Sequence, residues 1–192
     1  MDAIEVLRTR HSASKLGEPA PSGPAVQAIL ESAAVVPDHG RLQPWRLILI
    51  EQGARLAFGE VLADALARRN PLAGDQALAR ERDKALRAPL IIVVATRCDP
   101  SSKVPVIEQI VSGGAAAHSI MLAAFAQGFG AMWRTGEAAY DDAVKSAFGI
   151  GPDDLVIGFI YIGTDGGGAS SRARRTPEEF ASSWSRPSPS RG

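Results

Sequence analysis

The spacing of apolar positions along the chain alternates between helical and strand-like periods. Ala3, Ile4 and Leu7 recur at helical spacing and predict a short first helix running into the polar segment Arg10-His11-Ser12-Ala13-Ser14-Lys15. A second helix is predicted behind Ser22 or Gly23, with Pro24 in its first turn, where a missing N–H is harmless. Val26, Ile29, Leu30 and Ala33 form its buried stripe, and Pro37 ends it. Residues 47–50 have the length of a strand, whereas 54–69 and 76–87 carry helical periodicity with charged outer faces.

Residues 90–96 are continuously apolar and β-branched, the pattern of a central strand buried on both faces. From 106 to 127 a long helix is predicted, with Ile110, Gly114, Ala117, Met121 and Phe125 near one face and small residues all around. A helix so poor in bulk is expected to be enclosed. Gly128 and Gly130 break it, 131–134 reads as a short strand, and Asp141 and Asp142 favour the start of a helix reaching Phe148. Residues 155–162 supply the last clear strand. Beyond Gly163 the chain is rich in Gly, Ser, Arg and Pro, yet Phe180 and Trp184 need a surface to dock on. The whole reads as one domain, 1–192, with 164–192 as an extended tail.

Composition narrows the chemistry. Apolar residues make up 45% of the 192, enough for a real core, and Lys plus Arg equals Asp plus Glu at 21 each. That balance gives no reason to expect a nucleic acid or an anionic membrane as partner. Cys98 is the sole cysteine, which excludes an internal disulfide and multi-cysteine metal sites and fits a reducing compartment. Residues 1–10 lack the unbroken apolar core of a signal peptide and no stretch is expected to reach membrane-spanning length, so the protein reads as cytoplasmic.

No metal-binding, Walker or nucleophile-elbow motif occurs. The glycine run from Gly163 to Gly168 follows a strand, but no helix opens behind it as a dinucleotide fingerprint requires. Cys98 lacks an adjacent His to activate it and reads as structural. His118, within the small-residue helix, reads as a core or interface histidine; His11 and His39 stand in polar junctions open to either a binding or a structural role. Arg10, Arg174 and Arg175 have the chemistry to grip a phosphate bidentately.

Three short motifs in register change the weight of these residues. Arg10-His11-Ser12 closes the first helix, Pro37-Asp38-His39 leads to Gln43-Pro44-Trp45 before a strand, and Gln127-Gly128-Phe129-Gly130 with Trp133-Arg134 follows the long Ala-rich helix. Together they resemble the nitroreductase family, and within it a small bacterial subgroup of NAD(P)H nitroreductases of the YdjA type, over essentially residues 1–163. The resemblance implies an α+β fold with a mixed central sheet flanked by helices. It also implies an intertwined homodimer that holds FMN between its subunits.

By the same resemblance Arg10, His11 and Ser12 bind the flavin phosphate and ring edge, and a cation there suits the negative charge of the reduced flavin. Val35 and His39 approach the flavin from the second subunit, and Trp133, Arg134 and Thr135 return to it. A tail arginine, Arg174 or Arg175, meets the phosphate. Ala123, Ala124, Phe125, Ala126, Gln127 and Gly128 match the stretch given to the nicotinamide nucleotide, though as residues they read equally as dimer core. Ser14 replaces a usual second Arg, Arg41 a usual Asn, and Asp38 a usual Ser.

The implied activity is transfer of hydride from NADPH or NADH to FMN N5, then ping-pong reduction of a nitroaromatic, quinone or related small electrophilic acceptor, with no catalytic side chain and no metal. Two rivals stand beside it. One is a reductase of an enone or aldehyde; the other is a flavin storage or sensor protein with little turnover.

Overall fold

The computed structural model describes residues 2–168 and 174–185; of the predicted tail, 169–173 and 186–192 lie outside the described residues. Strand β3 (Leu90–Thr96) is buried at every position. It pairs on one side with β2 (Trp45–Glu51) and on the other with β5 (Leu155–Asp165). The sheet runs β1-β5-β3-β2, where β1 is only Leu16–Gly17, and β4 (Gly130–Arg134) also pairs with β5. Every ladder among the described residues is antiparallel, so the mixed sheet expected from the resemblance has no parallel pair within this chain.

Because side chains alternate along a strand, β3 and β5 feed two separate apolar layers. Ile91, Val93, Phe159 and Tyr161 face a cluster with Phe58, Leu62 and Ala65 of α3 (Ala54–Arg69) and Val144 of α7 (Asp142–Ala147). Leu90, Ile92, Val94, Ile160 and Ile162 face Ile29 and Ala33 of α2 (Pro24–Ala34) and Ala116, Ala117, Ile120 and Ala124 of α5 (Val106–Ala126). Each fully buried Ile or Leu in these layers stabilises the fold by about 1.5–3 kcal/mol.

Local signals place the helix ends. Asp2 caps α1 (Ala3–Thr9) by accepting from the amides of Ile4 and Glu5 at 2.8 and 3.0 Å. Pro24 stands in the first turn of α2 behind Gly23. Asp141 caps α7 through the amides of Ala143 and Val144, after the one-turn helix α6 (Glu137–Tyr140). The helix expected over 76–87 is two pieces, α4 (Asp75–Arg82) and a tight turn at Asp83–Leu86.

Four expectations need correction. Only Val6 of α1 is buried, while Ile4 and Leu7 are 62% and 52% exposed, because α1 lies outside the layers that the sheet organises. Helix α5 is enclosed on one face only: Ile107, Val111 and His118 point outward, which removes the core reading of His118. At 21 residues with mean hydropathy 1.3, α5 is also long and apolar enough by composition to cross a membrane, although its packing on the sheet and α2 explains that content. Last, β5 continues to Asp165, so Thr164 and Asp165 belong to the sheet and not to the tail.

Strand β4 is locked onto β5 by Trp133, whose indole Nε1 donates to the carbonyl of Ile157 at 3.1 Å. The indole occupies the space a side chain at 158 would need: a Cβ there would lie 2.1 Å from Nε1. Gly158→Ala therefore is expected to displace Trp133 and cost about 1–3 kcal/mol. Gly53→Ala, where a Cβ meets open space, is expected to change stability by less than about 0.5 kcal/mol. Urea unfolding of both variants checks the contrast, and equal midpoints would remove Trp133 as the cause.

Candidate functional site

The polar segment behind α1 is stitched to the sheet. The amide of Ala13 donates to the carbonyl of Ala131 in β4 at 3.0 Å, and that of Gly166 donates to the carbonyl of Lys15 at 3.1 Å. Gly130 makes the approach possible, since a Cβ there would sit 2.8 Å from both Ala13 Cβ and Leu16 Cδ2. His11 is drawn inward by this path. Its Nε2 pairs with Asp165 Oδ2 at 2.7 Å and its ring meets Phe125 edge-on at 5.6 Å. The other ring nitrogen, Nδ1, is buried with no hydrogen-bond partner among the described residues.

Asp165 was not expected as a site residue. Burial works to raise its pKa, but the amides of Gly167 and Gly168, at 2.8 and 3.2 Å, and the contact with His11 win and hold it below the usual carboxylate range. The Asp-Gly-Gly order is the available sequence signal, because an Asp two or three residues before flexible glycines accepts their amides in a turn.

Arg174 reaches back to the end of α1, donating from Nη1 to the carbonyl of Arg8 and from Nη2 to that of Arg10 at 2.6 Å. A cation at carbonyls left unpaired by a helix end is favourable. It also brings two guanidinium groups together: burial first, and then Arg174, lowers the pKa of Arg10. Ser12 beside them is exposed. Arg175 does not join this cluster; it pairs with Glu179 at 3.1 Å and stacks 5.8 Å from the Phe180 ring.

At the end of β4, Trp133, Arg134 and Thr135 line a cavity of about 490 Å³ whose apolar wall includes Phe58, Leu62, Phe159 and Tyr161. The Arg134 guanidinium lies 5.9 Å from the centroid of the Tyr161 ring. Arg87 shares this cavity, and nothing in its sequence context marked it.

Val35 and His39 lie elsewhere on the chain. Val35, just after α2, is 81% exposed and lines a cleft with Val36, Asp38, Arg41 and Trp45 that shares no residue with the Trp133–Thr135 cavity. His39 pairs with Glu108 near the start of α5. Ala123, Ala124, Phe125, Ala126, Gln127 and Gly128 form the closing turn of α5: Phe129 donates to the carbonyl of Ala124 at 3.0 Å, and Gln127 Nε2 reaches Ala25 of α2 at 3.3 Å. Phe125 alone of these joins the His11 group through a ring contact. Cys98 is structural, its thiol pushed up in pKa by burial and then by Asp154, which also accepts its amide at 3.0 Å.

Comparison with known proteins follows the same outline. Residues 7–164 match the profile of the nitroreductase family. Over 164 residues, 85% of this chain and 88% of the relative, the sequence is 42% identical to "Putative NAD(P)H nitroreductase YdjA" of Escherichia coli (strain K12). It is 38% identical over 165 residues to "Putative NAD(P)H nitroreductase" of Haemophilus influenzae, covering 85% of this chain and 89% of that protein. The fold matches a nitroreductase-like family protein from Bacillus cereus with a TM-score of 0.82 at 20% identity, covering 96% of each chain. It also matches a nitroreductase from Desulfovibrio desulfuricans solved with FMN, with a TM-score of 0.75 at 23% identity over 97% of this chain and 99% of that one. Since the profile runs from the first helix almost to the end of β5, the chain belongs to the nitroreductase family.

Proposed function

We propose that this chain binds FMN between two copies of itself, accepts hydride from NADPH or NADH, and reduces small electrophilic acceptors, nitroaromatics and quinones among them, by a ping-pong cycle. The observation that carries the reading is the cationic corner at the end of α1. Burial, and then the nearby Arg174, lower the affinity of Arg10 for its proton, and the buried Nδ1 of His11 lacks a partner among the described residues. Two like charges and an orphaned polar atom on one corner fit a phosphate, which relieves the repulsion and accepts their hydrogen bonds. The FMN-bound relative from Desulfovibrio desulfuricans and the NAD(P)H nitroreductase names of the sequence relatives support the same choice of cofactor and donor.

FMN, when bound, supplies the centre that takes and gives hydride. The chain's own residues bind and orient it. Arg10, His11 and Ser12, with Arg174 from the tail, hold the phosphate end. Trp133, Arg134 and Thr135 flank the ring, with Arg134 adding positive charge. Arg175, committed to Glu179, is the lesser candidate of the two tail arginines. Ala123–Gly128 are assigned to the nicotinamide nucleotide through Phe125 and the exposed Gln127 and Gly128.

A second copy completes the site. Val35 at 81% exposure, Ile107 and Val111 on the open side of α5, and Phe180 and Trp184 in the tail leave more large apolar side chains in water than a lone chain favours. Covering them places Val35 and His39 against the partner's flavin and docks the tail on the partner. The lone Cys98 supports a reducing, cytoplasmic setting.

Arg10→Ala is expected to weaken FMN binding about ten- to a hundred-fold while the fold survives, because a hydrogen bond to a charged group is worth about 1.5–3 kcal/mol. Titration of apoprotein by flavin fluorescence quenching reads this, with exposed Arg80→Ala as control; equal affinities would remove Arg10 from the site. Anaerobic NADPH is expected to bleach the flavin bands, and a protein that binds FMN without bleaching is a flavin carrier instead. The Asp165 carboxyl has a depressed folded pKa, so its contribution to stability is present above the ordinary carboxylate pKa and is lost as pH falls through the folded value. Asp165→Asn is expected to cost on the order of 1 kcal/mol at pH 7 and to flatten the acid limb of apoprotein stability below about pH 4. An unchanged acid limb in urea unfolding from pH 2 to 7 would count against the His11–Asp165 pairing.

A further inference from the structure

The two oxygens of Asp165 hold different parts of the chain. Oδ2 takes Nε2 of His11 at 2.7 Å, while Oδ1 accepts the amides of Gly167 and Gly168 at 2.8 and 3.2 Å. An ionised carboxylate only accepts, so Nε2 carries the hydrogen in this pair. Since Nδ1 is buried without a partner, Asp165 is the only polar hold on the His11 ring among the described residues. Asp165 is itself fixed against the segment it holds: it pairs with Leu16 in the β1–β5 ladder, and Gly166 next to it donates to the carbonyl of Lys15 at 3.1 Å. Beyond it, a Cβ at Gly167 would lie 2.8 Å from Ser14 Oγ. Charge alone gives no reason for an acid here, because a carboxylate beside His11 repels an anion at the Arg10–Arg174 corner.

We propose that Asp165 is a positioning residue for this corner: by holding His11 inward it keeps Arg10 and Ser12, on either side of that ring, turned to the phosphate end of FMN. The role rests on the flavin reading above and adds to it a residue that no motif contains. His11 and Ala13 point into the protein and Ser12 between them is exposed, as alternation along an extended chain requires. Fixing one ring therefore fixes the direction of its neighbours. Without Asp165 both ring nitrogens lack protein partners, which favours turning the ring out to water and disorders the segment before an anion arrives. Order already present in the free chain is order that binding need not impose. Three donors already answer the carboxylate, which weakens its repulsion of an incoming phosphate.

Flavin fluorescence quenching with the full chain as apoprotein, comparing FMN with riboflavin, which lacks the phosphate, tests the role. The native chain is expected to bind FMN at least about ten-fold tighter than riboflavin. Asp165→Asn is expected to weaken FMN binding about five- to ten-fold and to leave riboflavin within about two-fold. A merely structural role lowers both affinities alike, and loss of the negative charge alone tightens FMN binding; either result overturns the proposal. In a His11→Ala background the same substitution is expected to add no loss beyond about two-fold, because the effect passes through the ring, and an undiminished loss there overturns it too. A native chain with no preference for FMN over riboflavin removes the phosphate from this corner, and the role of Asp165 falls with it. A native preference that survives Asp165→Asn undiminished overturns the positioning role alone.

Discussion

The close approach of the Arg10–Lys15 segment to strand β4 is the constraint on which the candidate site depends. One amide bond, Ala13 to Ala131, and the absence of a Cβ at Gly130 set it. With the segment held there, His11 has no direction but inward, where Asp165 and Phe125 meet it, and Arg10 is left at the end of α1 with its charge half withdrawn from water. Arg174 then finds a ready cap for the α1 carbonyls and doubles the positive charge at that corner. A larger residue at 130 would push the segment outward and release all of these groups together, since they share one anchor.

Where burial alone decides an element, the hydrophobic pattern suffices to read it. Strand β3 is legible because seven successive buried positions carry no charged residue to confuse the period, and α3 is legible because its charged face alternates cleanly with Phe58, Leu62 and Ala65. The two-residue strand β1 is different. Leu16 and Gly17 have no pattern of their own and are extended only because Asp165 and Thr164 lie opposite. Helix α5 shows the converse limit: its composition announces apolar surroundings on all sides, but one chain covers only the face that meets the sheet and α2. In the site, Arg10, His11 and Trp133 were visible as members of short motifs, whereas Asp165 and Arg87 enter through contacts with residues far away in sequence.

The departures from the family pattern have separate physical meanings. Asp38 accepts the amide of Gln43 at 2.6 Å and the hydroxyl of Ser112 at 3.1 Å, so a carboxylate here ties the loop before β2 to helix α5. Arg41 stands at φ +55, a left-handed conformation in which Asn is at ease and a long side chain carries strain of about 1–2 kcal/mol. The strain persists because Asp38 and the β2 pairing fix the chain on either side. Ser14 opens space instead: it lines a cavity of about 430 Å³ together with Lys15, Arg87 and Arg134, so the positive charge lost at 14 is present on that wall from three other residues.

Pairing state sorts the cations better than sequence position does. Arg69, Arg82, Lys84, Lys145 and Arg175 each have a carboxylate at hand, and for them the structure supplies a reason that needs no ligand. Arg10, Arg87, Arg134 and Arg174 are different: they are set against other cations, carbonyls or aromatic rings. Guanidinium groups cannot shed their proton to escape such surroundings, so the electrostatic cost stays in the folded chain until an anion arrives. In a chain whose formal charges sum to zero, setting these four against other cations, carbonyls and rings concentrates positive charge at two places, the end of α1 and the β4–α6 corner. Net charge is silent about either; both follow from where the fold brings guanidinium groups against one another or against carbonyls and rings.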